Sequence, residues 1–188
     1  RVAVLRRSDP HLPIHDRQPL EKLIASYITL AQKTTTPSRP TLLITHGVSG
    51  SGKTHQARRL VEKGGWIHIR SDVERMRLFG RWPGAPAHPL RGDPYRPEVS
   101  ELLYEQLLPA QAEGMLAAGF SVVVDATFLK RSQRSNMAEL AKQVDAEFRI
   151  LNCTVCEDLA LQRINKRLGE GGDPSEANQQ VLEQQLRI

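Results

Sequence analysis

Eight consecutive residues, Gly47-Val48-Ser49-Gly50-Ser51-Gly52-Lys53-Thr54, complete the pattern G-x-x-x-x-G-K-[ST]. Their types suit the phosphates of a nucleotide. Glycines let the chain take positive φ and bring its backbone close to a ligand. The N–H groups of Ser49, Gly50, Ser51 and Gly52 can then form an anion nest, and a following helix adds its positive N-terminal end. Lys53 can reach the β- and γ-phosphates, and the Thr54 hydroxyl can ligate Mg²⁺. Two carboxylates stand where such a site needs them. Asp125 closes the apolar run Val122-Val123-Val124, where a carboxylate can hold Mg²⁺ directly or through water. Asp72 follows Ile69-Arg70-Ser71, beyond a second short strand. There it can orient an acceptor hydroxyl and take its proton. Helix N-capping is the plainer role for either aspartate.

Further cations can be weighed the same way. Arg163 and Arg167 lie four apart, so on a helix they share a face. Beside the glycine-rich break at residues 169–174 they suit a lid that neutralises charge on a transferred phosphoryl group; a solvated helix face is the competing role. Lys130, Arg131 and Arg134 could meet a phosphorylated or acidic acceptor, or simply water. The loop over 80–97 carries Arg81, Arg91 and Arg96 with Trp82 and Tyr95. It is too long for a plain connector and is the natural acceptor-specificity element. His46, His55 and His68 have no metal-ligand spacing and read as structural. The only cysteines form Cys153-Thr154-Val155-Cys156, a lone C-x-x-C and weak evidence for zinc. Cys153 is expected to end a buried strand and Cys156 to open a helix.

The elements that must position these groups alternate in type. Residues 41–46 read as a buried strand and 53–63 as a helix. A short strand follows over 66–69 and a helix over 72–79. Residues 98–118 read as a helix kinked or broken at Pro109. A β-branched strand runs over 120–124, a helix over 132–143, a strand over 147–153 and a helix over 156–168. Ser175 is a candidate cap for a final helix. Strands joined by helices imply a parallel sheet with right-handed crossovers. Ahead of this, residues 18–32 carry a helical apolar stripe, and residues 34–40 (Thr34 to Pro40) read as a linker.

The 188 residues suit one domain with an appendage. The net charge of +5 and pI near 9.5 fit a polyanionic ligand and allow nucleic acid without demanding it. No apolar run approaches a membrane span, and no signal-peptide pattern is present. Cysteine usage predicts a cytoplasmic protein.

Taken in order, Gly47–Thr54, Ser71-Asp72-Val73-Glu74-Arg75, Val123-Val124-Asp125-Ala126-Thr127-Phe128 and Arg163–Arg167 resemble the P-loop kinase-like ATP-binding domains. Within that group the chain is most similar to the C-terminal domain of bacterial two-domain proteins whose N-terminal half is aminoglycoside phosphotransferase-like. Gly172-Asp173-Pro174-Ser175-Glu176-Ala177 supports this. More distantly it resembles the 5′-hydroxyl kinase domain of polynucleotide kinase and the zeta toxins. The resemblance covers about residues 41–185.

It implies a three-layer α/β P-loop NTPase of the nucleoside/nucleotide kinase-like type, with strand order 2-3-1-4 and the usual fifth strand missing from the chain. The domain would span 41–188 with a lid near 163–176, and residues 1–36 would be the tail of a preceding domain or a connector. The resemblance implies ATP and Mg²⁺ as cofactors. It matches Asp72 to an acceptor-hydroxyl aspartate, Arg75 to a substrate-phosphate arginine and Arg163 or Arg167 to a lid arginine. Phosphoryl transfer to a hydroxyl of a small molecule or nucleotide is then the expected activity. A nucleotide-binding regulatory module and a polynucleotide 5′-hydroxyl kinase are the alternatives.

Overall fold

The computed structural model describes residues 22–28, 39–170, 174, 175 and 177–188. The chain divides into two compact units, residues 1–38 and 39–188. In the first, residues 22–28 are helical, inside the stretch with the apolar stripe; the rest of that stretch, most of the linker and much of the lid break lie outside the described residues.

The second unit is a four-stranded parallel sheet in the order β2-β3-β1-β4, as the resemblance implies. β1 (Thr41–His46) is central, with β3 (Val122–Asp125) on one side and β4 (Glu147–Asn152) on the other. β2 (Ile67–Arg70) pairs with β3, setting Arg70 opposite Asp125. Side chains alternate across a strand, so the apolar runs of β1 and β3 feed two cores. Leu42, Ile44, Val122 and Val124 pack on one side with residues of α4 (Leu108–Ala117) and α5 (Arg131–Gln143). Leu43 and Val123 pack on the other against Ala57 of α1 (Lys53–Gly64). A third cluster joins Ala160 and Ile164 of α6 (Glu157–Glu170) to Leu182 of α7 (Gln179–Leu186).

Several boundaries differ from expectation, each for a local reason. α2 (Ser71–Leu78) starts one residue earlier than expected, and Arg70 occupies its N-cap position. Phe120 precedes β3 and is 48 % exposed, because the turn at Gly119 with φ +86 ends only there. Pro109 does not break its helix. After α3 (Pro97–Glu101), the stretch Leu102–Leu107 is π-helical and runs on into α4, with the Leu108 N–H bonded to the Leu103 carbonyl. Proline has no N–H and its ring crowds the carbonyl four residues back. The wider π turn just ahead of it absorbs that misfit. Ser175 is buried and is not the N-cap of α7; that is Asn178, whose side chain accepts the Val181 N–H at 3.1 Å. α6 runs through Gly169 to Glu170, so the break begins later than predicted. β4 is not buried: among the described residues only β1 pairs with it, only Phe148 and Leu151 are half-buried, and Cys153 just beyond it is half-buried. Among the described residues, no helix is long and apolar enough to cross a membrane.

Candidate active site at the carboxyl ends of the strands

The loop from β1 to α1 wraps as the octapeptide pattern requires. Gly47 has φ +137, and a Cβ there would lie 2.2 Å from the Cys153 carbonyl oxygen. Gly52 takes φ +92 at the N-cap of α1, which lets the chain turn directly into the helix. The Ser49 N–H donates to Gln185 Oε1 at 2.7 Å, and the Lys53 ammonium donates to the Val48 carbonyl at 2.8 Å. Burial pushes the Lys53 pKa down, against the opposing pull of the Asp125 and Asp72 charges. The Ser51 hydroxyl is buried with no hydrogen-bond partner among the described residues. A buried ammonium that lines the cavity and is bonded to the loop's own carbonyl fits a phosphate group.

Asp125 ends β3 beside this loop and is 5 % exposed. Its Oδ2 lies 3.3 Å from His68 Nε2 and 3.8 Å from Arg70 Nε. Burial alone would raise its pKa. Hydrogen bonds from His68 and Thr54, with the charges of His68 and Lys53, outweigh burial and hold the carboxyl below its usual range. Thr54 and Asp125 thus share one spot, and this hydroxyl–carboxylate pair of hard oxygen donors fits Mg²⁺. The sequence assigns His68 a structural role, and its hydrogen bond to Asp125 brings that role into the site. The signal that finds it is sheet register: His68 and Arg70 lie two apart on β2 and share a face, and Arg70 pairs with Asp125.

A cavity of about 630 Å³ opens over the loop. Lys53, Thr54, Asp72, Asp125, Arg163 and Arg167 all line it. Asp72 sits in the first turn of α2 without capping it. Arg163 Nη1 donates to the Gly50 carbonyl at 3.1 Å, and Arg167 Nη2 to the Ala177 carbonyl at 3.0 Å. These two arginines therefore reach the phosphate loop and the segment before α7.

The other arginines fare differently. Arg75 lines the cavity but is only 5 % exposed. Its Nη1 donates to the Pro94 carbonyl at 2.6 Å, and its guanidinium lies 4.8 Å from the centre of the Tyr95 ring. It fastens the 80–97 loop to α2. Arg96 donates to the Arg91 carbonyl at 2.6 Å and, like Arg81, lies over Phe79. Arg134 donates to the carbonyls of Phe128 and Leu129 at 2.7 and 2.6 Å. Arg131 is exposed and does not line the cavity, whereas Lys130 does. Cys153 and Cys156 are both free, and burial pushes the Cys153 thiol up. Among the described residues no cluster of three or more His, Cys, Asp or Glu could hold a metal.

A profile of the AAA domain family matches residues 42–188. The chain belongs to that family. Its fold is that of the P-loop kinase-like domains, as solved structures also show. It superposes on a chain of the Pnkp1/Rnl/Hen1 RNA repair complex with a TM-score of 0.61 and 23% identity, over 82% of this chain and 45% of that one. The chain thus spans less than half the length of that relative. A sugar kinase from Janibacter sp. gives 0.54 and 22% identity, over 79% of this chain and 76% of the other. The APS kinase CysC of Mycobacterium tuberculosis, in complex with AMPPNP and APS, gives 0.54 and 21% identity, over 72% and 75%. No curated protein matches the sequence.

Proposed function

We propose that this AAA-family domain is a Mg²⁺-dependent kinase that moves the γ-phosphoryl group of ATP to a hydroxyl of a small molecule or nucleotide. The observation that carries this reading is the placing of Asp72. Its carboxylate caps no helix, stands in the wall of the cavity that Lys53 also lines, and acts on the Lys53 charge. A pure nucleotide-binding module needs no carboxylate there. In the step itself a bond forms between the acceptor oxygen and the γ-phosphorus, and the bond from that phosphorus to ADP breaks. Asp72 orients the acceptor hydroxyl and takes its proton. Lys53 and the loop N–H groups hold the phosphates, and Arg163 and Arg167 balance charge on the moving group. Thr54 and Asp125 would hold Mg²⁺, which supplies charge neutralisation at the β- and γ-phosphates.

A polynucleotide acceptor is less well supported. It calls for several cations facing a phosphate backbone; of the acceptor-side candidates, Arg75, Arg96 and Arg134 hold carbonyls of the protein, and Lys130 and Arg131 are exposed.

The test is transfer of labelled γ-phosphate, with Mg²⁺, to pooled sugars, aminoglycosides, nucleosides and 5′-hydroxyl oligonucleotides. Label entering one pool is the expected result and names the acceptor class. Tight ATP binding with no transfer to any pool would instead make the domain a regulatory module. Preference for the oligonucleotides, with a steep salt dependence, would restore the nucleic-acid reading.

A further inference from the structure

The π-helical stretch Leu102–Leu107 turns a buried phenol toward the exit of β3. Tyr104 is 7 % exposed, and its ring meets Phe128 edge-on, with centroids 5.3 Å apart and planes at 89°. Its hydroxyl lies 2.7 Å from Thr127 Oγ1 and accepts the Thr127 N–H at 3.1 Å. The Thr127 carbonyl in turn accepts the Gly47 N–H at 3.1 Å. The threonine is therefore fastened to the first residue of the phosphate loop. Phe128 is held beside it at φ +42, and its carbonyl takes hydrogen bonds from Arg134 and from His46 Nδ1 at 3.1 Å. A bulky residue in that region is uncommon and persists only where its surroundings dictate it.

The pair carries two hydroxyl protons, and one suffices for the bond between its two oxygens. The other is spare. Among the described residues neither hydroxyl makes a further hydrogen bond, and both side chains line the cavity. Either oxygen can donate in that bond; with the phenol donating, the spare proton belongs to Thr127. Asp72, Lys53, Tyr104 and Thr127 line the same cavity, which sets the pair between the phosphate and acceptor ends. We propose that Thr127 donates a hydrogen bond to the transferring phosphoryl group, and that Tyr104 is the positioning residue behind it. The inference rests on the kinase reading of the same cavity. Because the threonine is tied to the phosphate loop, its effect belongs to the phosphoryl group and is independent of which acceptor is used.

The experiment compares wild type with Thr127→Val, Thr127→Ser and Tyr104→Phe. Label leaving Mg·ATP for water or the acceptor pool is measured beside equilibrium ATP affinity. Thr127→Val is nearly isosteric and should slow turnover about 10- to 100-fold while ATP affinity stays within about threefold. Thr127→Ser should restore turnover to within a few-fold, since it keeps the hydroxyl. Tyr104→Phe should slow it by a smaller factor, about 3- to 10-fold, again at nearly constant affinity. The inference is overturned if Thr127→Val turns over like wild type, if Thr127→Ser is as slow as Thr127→Val, or if turnover and affinity fall together. Wild-type protein that moves no label overturns the kinase reading and this inference with it. Wild-type turnover with an indifferent Thr127→Val overturns this inference alone.

Discussion

At the phosphate end of the cavity the loop N–H groups, Lys53 and Thr54 come from one unbroken octapeptide, and its backbone sets their positions. Beyond the loop, the cavity's other polar groups converge from the first turn of α2, the π-helical stretch and the loop after β3. The phosphate end is consequently fixed by local geometry: glycines where φ is positive, a helix start, a lysine at the right offset. The acceptor end exists only once those three segments have packed. Arg75 and Arg131 illustrate the contrast. From sequence both qualify as cations for an acceptor, but packing turns one into the anchor of a loop and leaves the other outside the cavity.

The sharpest way to break this comparison is at the phosphate end. Lys53→Ala should weaken ATP binding and slow turnover together, lowering kcat/KM by about 10³-fold or more, because charge-assisted contacts to phosphate are lost in ground and transition states alike. Unchanged affinity in a nucleotide titration would remove the phosphate-loop assignment. The acceptor end should respond differently. Asp72→Asn keeps shape and removes the base, so turnover should fall about 10²- to 10⁴-fold while ATP affinity is nearly constant. Unchanged steady-state turnover would leave Asp72 no more than a first-turn carboxylate.

A smaller effect separates the two arginines. Arg75→Ala removes two hydrogen bonds and a stacked guanidinium from a buried position. It should lower unfolding free energy by about 1–3 kcal/mol. Arg131→Ala should stay within about 0.5 kcal/mol of wild type and leave turnover intact. Equal denaturant midpoints for the two variants would show that loop anchoring is not what Arg75 does.

The smallest effect is in pH. The folded-state pKa of Asp125 is depressed, so its contribution to stability is present above the unfolded carboxyl value near pH 4. That contribution is lost as pH falls through the folded value. Asp125→Asn should lack this component, and the stability gap between it and wild type should narrow below about pH 4 in chemical unfolding. A gap independent of pH would mean that the carboxylate's charge is not what His68 and Thr54 hold in place.

Most of the sheet could be read before the chain was folded. β-branched runs bounded by turns located β1 and β3, and the alternation with helices made the sheet parallel. The resemblance supplied the strand order. Lys53, Thr54, Asp72, Asp125, Arg163 and Arg167 could be named from spacing because each sits at a strand end or on one face of a helix. Misplaced features depended on partners far along the chain. β4 is largely exposed because, among the described residues, only β1 pairs with it. His68 lies beside Asp125 because β2 pairs with β3, and Arg75 holds the Pro94 carbonyl because the backbone there folds over it.

The sequence by itself thus determined the phosphate loop and the carboxylates that face it, since periodicity, glycine φ and strand ends are properties of short stretches. Only the tertiary structure decided which hydroxyls and cations remain available to an acceptor. A polar group's availability depends on whether a distant carbonyl, ring or hydroxyl already satisfies it. Tyr104 is 23 residues from Thr127, and Gln185 is 136 from Ser49; no pattern within either stretch encodes the partner.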